Sequence, residues 1–405
     1  MLNPNNVARG LLSSLRLPLL LLSSAVLGCT GVSVNAPTPG PPGLDPLSAT
    51  LVLEGADVVV LDPTPHLEHD RSIVADGERI VWIGPAQKRP PVGDATVVDV
   101  SGRFVIAGLS DMHAHLPGED DAPFTLQTYL ELQLSSGVTS IRSMRGEPSH
   151  AEVRTAIASG TRAGPDLQLA SAPISAQSLS YEESQRLIET AERDGADFIK
   201  LLGVGDAQSY RNLMRAAQEA GFPVAGHLPT SVPAELAAEL GQQSIEHLGG
   251  ILDAVAAGNS AAQATAIALA QPGVFHCPTL HWYALGLGVY DPADFEGDAA
   301  LASVSAAARS QWDATLSQRR VGLEGRALDP IEDRLRALKL LHETGALLVI
   351  GPDTGGAYGL PGSAVHDEMR LFADAGIPTA EILRAATSNA AALRGAADEG
   401  AVTEG

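Results

Sequence analysis

The sequence predicts an α/β fold: a (β/α)8, TIM-like barrel with a small β-sandwich domain, the latter incomplete where the chain stops at Gly405. Three observations predict it. Short β-rich runs separated by turn signals fill residues 49–103. Beyond Arg103, apolar strand runs alternate with stretches of helical period, as in repeated βα units. Eight such strand runs can be counted, the number that closes a barrel. The 405 residues, 45% of them apolar, suffice for a sizeable core. The formal charge of -22 repels phosphate, which excludes a sequence-independent nucleic-acid binder and a basic surface docking on anionic lipid. Two cysteines in unrelated contexts, Cys29 and Cys277, leave packing rather than a disulfide framework to hold the fold.

The elements follow in order. Before the first acidic residue, Asp45, Arg9 and Arg16 precede an apolar run over residues 17–27, the layout of an export signal. The run is shorter than the roughly 20 residues a spanning helix needs. Because it ends at Leu27-Gly28-Cys29, it resembles a bacterial lipoprotein signal. Residues 1–28 are then a signal peptide and Cys29 a lipidation site. Residues 29–48, rich in Pro, Gly, Ser and Thr, are a flexible tether. An exported protein, lipid-anchored in a bacterial cell envelope, is expected. An ordinary cleaved signal and a retained anchor are the alternatives.

Residues 49–103 form the small β domain, with runs at 51–61, 72–83 and 95–100. The barrel spans 104–392, with strands at 104–112, 138–144, 167–174, 197–202, 223–227, 244–247, 274–280 and 347–351. Helices are expected at 151–159, 182–193, 209–220, 234–240 and 331–344. Residues 281–330 are too long for a simple connection, and a helical stretch at 299–320 belongs over the barrel mouth. Residues 393–405 begin a return to the small domain.

Polar residues gather at the ends of these strands. In Asp111-Met112-His113-Ala114-His115, residues i and i+2 face one side about 7 Å apart along the backbone, so His113 and His115 can share a metal ion. An isolated His-x-His pair is more often two satisfied histidines; the other strand ends change that reading. Lys88, Lys200 and Lys339 are the only lysines, and Lys200 lies in an apolar strand where an unpaired ammonium is costly. A lysine there can lose its proton and take up carbon dioxide as a carbamate, whereas arginine would stay charged. A snorkelling lysine, or one paired with Asp197, is the plainer alternative. His227, His247 and Asp353 each end a strand on the face where barrel active sites are built.

In this order the residues resemble the amidohydrolase superfamily, and within it the binuclear metal-dependent dipeptidases of the prolidase and Xaa-Arg dipeptidase type, related to imidazolonepropionase. The resemblance runs over residues 51–404. It is strongest from Val105 to His115 and continues through Gly137-Val138-Thr139, Lys200, the two histidine strands, Pro278-Thr279-Leu280, Gly351-Pro352-Asp353 and Ala386-Thr387-Ser388-Asn389. It implies that His113, His115 and Asp353 hold one divalent metal ion and His227 and His247 a second, with Lys200, carboxylated by CO2, bridging them. Zinc is the default. The chain departs from the family at Ser143, where an aspartate is common.

The implied activity is hydrolysis of amide (peptide-like) bonds in dipeptides or N-acyl amino acids. A metal-bridging hydroxide would be the nucleophile and Asp353, the catalytic residue, would shuttle its proton to the leaving amine. The alternatives are a mononuclear deaminase or cyclic-amidine hydrolase of the same superfamily, which needs no bridging lysine, and a catalytically inactive envelope lipoprotein. The expected partners are a small-molecule amide or dipeptide and, through the N-terminal lipid, a membrane; no nucleic acid is expected. His281 and Tyr283 are the candidate substrate contacts, with His276, Trp282 and His150 as further pocket residues.

Overall fold

A computed structural model describes residues 34–35, 47–121, 123–323 and 330–405. The expected signal and lipidation site, residues 1–28 and Cys29, lie outside the described residues. Within the expected tether, Val34–Asn35 is a strand and pairs antiparallel with Val97 and Val98.

The chain divides into two compact units, one holding the described residues through Asp57, His69–Phe104 and Glu404, the other Val58–Glu68, Val105–Thr403 and Gly405. The small sheet orders its strands Val34–Asn35, Thr96–Asp99, Leu51–Val60, His66–Asp76, Arg79–Pro85. Val52, Val74, Ala95 and Val97 form its core. The run expected over 72–83 is a hairpin rather than one strand. Its turn is Gly77-Glu78, with Gly77 at φ +60°, which a glycine adopts without strain. The Glu404 carboxylate accepts a hydrogen bond from the Ile83 amide at 2.8 Å.

The second unit holds eight parallel strands, Leu109–Ala114, Val138–Ser143, Asp166–Leu169, Ile199–Val204, Val224–Gly226, Ser244–Glu246, Phe275–Cys277 and Leu347–Leu348, and a short ninth segment, Ile174–Ala176, that pairs parallel with Ile199–Val204. Backbone bonds carry the ring across its two gaps. Between the third and fourth strands, the Asp197 amide donates to the Leu169 carbonyl at 2.7 Å and that of Ser171 to Phe198 at 2.8 Å. Between the last and first, the Met112 amide donates to Ile350 at 2.9 Å and that of Asp353 to His113 at 3.0 Å. Gly351 stands at that closure: a Cβ there would lie 2.5 Å from Cys277 Sγ and 2.6 Å from the His113 nitrogen.

Strands are shorter than their apolar runs. The run at 104–112 divides into Phe104–Val105 and Leu109–Ala114, and that at 167–174 into Asp166–Leu169 and Ile174–Ala176. The run at 274–280 ends at Cys277 because Pro278 has no amide to donate and Thr279 turns to φ +53°; the helix Leu280–Gly286 follows. Helices form close to the expected places. Tyr181–Arg193 opens with a capping box in which Ser180 and Glu183 satisfy each other's amides. The insertion forms Ala299–Ala302 and Ala306–Leu323, broken at residues 303–305.

Candidate metal centre

His113, His115, Lys200, His227, His247 and Asp353 line one cavity of about 470 Å³ at the C-terminal ends of the strands. Strand alternation explains part of this, since Phe198 and Lys200 share one face, as do Ala225 and His227. Backbone strain explains the rest. Glu246 and His247 are neighbours, yet both reach the barrel interior because His247 and Leu248 adopt φ +62° and +59°. Asp353 does the same at φ +63°. Non-glycine residues in this region cost energy and persist where the surroundings enforce them, commonly at functional sites.

His113, His115 and Asp353 offer ligand atoms that all lie within 4.8 Å of one another. His115 Nε2 is 3.1 Å and His113 Nε2 3.7 Å from Asp353 Oδ1, and His247 Nδ1 is 4.0 Å from Oδ2. The rings of His227 and His247 are 4.7 Å apart.

Two bonds fix which imidazole nitrogens are free. His113 Nδ1 donates to Glu246 Oε2 at 2.7 Å, because an ionised carboxylate can only accept. His247 Nδ1 donates to Thr279 Oγ1 at 2.7 Å, because that hydroxyl spends its own proton on the Pro278 carbonyl at 2.8 Å. Both rings keep a bare Nε2, the lone pair a metal needs, and such partners orient ligands. Glu246 is in turn paired with Arg142 at 3.3 Å, and the Ser244 hydroxyl donates to the same carboxylate. Arg142 is buried over the Phe198 ring, 4.2 Å from its centroid. Cys277 also approaches His113 and Glu246, but Arg142 already balances that carboxylate.

Burial pushes His247 down to about 4 and holds His113 and His227 below the ordinary imidazole value. Burial thus favours the neutral form of all three rings, the form in which an imidazole binds a metal. Burial raises the Asp353 carboxyl, but His113 and then its other imidazole neighbours outweigh that and hold it below the usual carboxylate range. Lys200 is 2% exposed, and burial lowers its ammonium. Asp197 does not pair with it: that carboxylate takes Arg154 at 2.6 Å and the Leu169 amide at 2.7 Å. Among the described residues no side chain pairs with the Lys200 amine.

Of the two candidate substrate contacts, Tyr283 lines the cavity beside Trp282, and His281 does not. The His281 ring is buried between Tyr290 and Phe295, because the helix beginning at Leu280 turns it about 100° from its neighbour and into the core. His276 and His150 are buried on backbone carbonyls of Leu269 and Pro117. Arg145, which the sequence reading missed, lines the cavity. So were the supporting Glu246, Arg142 and Thr279; a carboxylate in an otherwise apolar strand end was the one visible signal.

Among curated proteins, the chain is 34% identical over 94 residues to imidazolonepropionase of Micrococcus luteus, covering 23% of each. It is 35% identical over 119 residues to enamidase of Eubacterium barkeri, covering 29% of this chain and 30% of that one. The chain thus spans about a quarter to a third of these relatives' length. Among solved structures, a bottromycin amidohydrolase superposes with TM-score 0.66 at 24% identity, over 86% of this chain and 78% of the other. A Xaa-Pro dipeptidase with bound methionine in the active site gives 0.65 at 19%, over 88% and 91%. The amidohydrolase family model matches residues 104–405, a span that takes in all six cavity residues, and the chain belongs to that family.

Proposed function

We propose that the protein is a metal-dependent hydrolase of amide bonds in small molecules, dipeptides or N-acyl amino acids. The observation that carries this reading is the buried, partnerless Lys200 amine in a cavity with four histidines and an ionised aspartate. The donor set fits two divalent ions, zinc by default. His113, His115 and Asp353 would hold one, His227 and His247 the other, with a carboxylated Lys200 between them. When bound, such ions acidify a water molecule and polarise a carbonyl.

The chain's own residues do the rest. Burial lowers the Lys200 ammonium and so favours its neutral amine, the form able to add to the carbon of CO2 and release one proton to give the carbamate. Glu246 and Thr279 hold His113 and His247 in one tautomer. Asp353, ionised against the imidazoles, is placed to take a proton at Oδ1 or Oδ2 and return it to a departing amine. Structural neighbours described as a Xaa-Pro dipeptidase and a prolidase from Bifidobacterium longum support a dipeptide-like substrate. A second reading, a mononuclear deaminase or cyclic-amidine hydrolase of the same superfamily, draws on the imidazolonepropionase similarity.

Metal analysis of protein prepared without chelators, with a hydrolysis screen of dipeptides and N-acyl amino acids, tests the proposal. Two ions per chain and release of free amino acid are expected; one ion with full activity moves the protein to the second reading. We also propose that lipid on Cys29 tethers the enzyme to a bacterial membrane, where Cys29→Ser should release it from membrane fractions. No described helix is long and apolar enough to cross a membrane.

A further inference from the structure

The cavity opens into a second lobe of about 390 Å³. The two share His115, Arg145, Trp282 and Asp353. Beyond those four the second lobe adds no histidine and no lysine and one carboxylate, Asp121, which is paired with Arg145 at 2.9 Å; its distinctive lining is Phe124, Tyr129 and Trp312, with Pro117 and Pro123. Aromatic residues are only 4% of the chain, yet four aromatic side chains, two of the three tryptophans among them, surround this one space. The aromatic part of these walls suits a large apolar or aromatic group.

The lobe is shaped without a ligand. Trp312, on the insertion helix Ala306–Leu323, packs 6.1 Å from Phe124 and 5.2 Å from Tyr358, centroid to centroid. The Tyr358 hydroxyl donates to Asp313 of the same helix at 2.6 Å. Arg319, also on that helix, lies 3.1 Å over the Trp282 ring and donates to its carbonyl at 2.6 Å. The Tyr129 hydroxyl bonds Thr354 Oγ1, next to Asp353, at 2.6 Å. Walls held this way lose little freedom on binding.

A carboxylate that returns a proton to the leaving nitrogen must face that nitrogen. The aromatic lobe meets the histidine cluster only at His115 and Asp353, whereas Lys200, His227 and His247 line the other lobe alone. We propose that the Phe124–Tyr129–Trp282–Trp312 lobe selects the amine-side residue of the scissile amide, taking an aromatic or large aliphatic side chain; this rests on the amide-hydrolase reading.

The experiment compares kcat/KM for alanyl-phenylalanine, phenylalanyl-alanine and alanyl-alanine. In parallel, the binding of free L-phenylalanine and L-alanine to the unaltered protein is measured by calorimetry. A preference for alanyl-phenylalanine of at least about tenfold over both other dipeptides is expected, with phenylalanine binding tighter than alanine by a similar factor. Trp312→Ala should bring the ratio of alanyl-phenylalanine to alanyl-alanine hydrolysis towards one and abolish the difference in amino-acid binding. Equal rates, or a preference for phenylalanyl-alanine, overturn the assignment of the lobe. Phenylalanine-selective binding without hydrolysis of any amide overturns the amide-hydrolase reading and leaves the lobe standing as a binding site.

Discussion

His113 does two jobs through its two nitrogens, and the one turned away from the cavity sets up the other. Its Nδ1 proton is held by Glu246, a fully buried carboxylate balanced by Arg142. Glu246→Gln keeps the shape but removes the charge that orients and polarises the ring, and leaves Arg142 uncompensated. We expect metal affinity, read by chelator competition, to fall about 10–100-fold, and the melting temperature to drop because half of a buried ion pair is lost. Lys200 makes a sharper test. Lys200→Ala should lose the second ion and most activity, and Lys200→Arg should do no better, since a guanidinium does not give up its proton. Propionate added to the alanine variant should restore part of the activity in a metal-dependent way. Full activity in Lys200→Arg would return the residue to a buried structural cation. Five of the six cavity residues were legible as polar groups at the ends of apolar runs, and Lys200 as a scarce lysine within one. Glu246 and Arg142 were not, since Glu246 meets His113 across 133 positions of sequence and only the closed ring joins them.

Among the elements, the helix Leu280–Gly286 departs furthest from the sequence reading and matters most to the cavity. An apolar run continuing past Cys277 reads as strand until Pro278 and Thr279 break it, and that break decides that Trp282 and Tyr283 face the cavity while His281 faces the core. The start of the helix is held by Glu368, whose two oxygens accept from the Leu280 amide at 2.9 Å and the His281 amide at 2.6 Å. Burial pushes the Glu368 carboxyl up to about 8, although these amides pull it down. In the window between its ordinary value of 4.5 and about 8, the folded protein holds a proton there that the unfolded chain does not. The Glu368 contribution is therefore complete below pH 4.5 and is lost as pH rises through about 8. Glu368→Gln cannot titrate, so its stability relative to the unaltered protein should improve as pH rises through that window, by up to about 1.4 kcal/mol per pH unit. Melting temperatures of both proteins from pH 5 to 8 check this; a constant difference would show that Glu368 is ionised throughout.

On the scale of the whole molecule, the eight strands were countable because each is an apolar run between helical stretches, but nothing local to the first or last strand shows how the ring closes. Closure depends on Gly351, packed against Cys277 and the His113 backbone, and it sets Asp353 beside His113 and His115. The barrel and the metal centre are thus one structure at this seam. A Cβ at residue 351 would stand under 3.0 Å from the His113 nitrogen, and backbone cannot yield as a flexible side chain can. Gly351→Ala should force the eighth strand from the first, at a cost of about 1–3 kcal/mol from overpacking. It should weaken metal binding although residue 351 is not a ligand, because Asp353 moves with its strand. Gly203 supplies the comparison: it lies in the strand Ile199–Val204, and a Cβ there meets nothing within 4 Å. Gly203→Ala should keep the native melting temperature or raise it, since alanine lowers the entropy of the unfolded chain. If Gly351→Ala melts with Gly203→Ala and binds metal as tightly, the seam is looser than its geometry requires, and the site is held by the histidine strands alone.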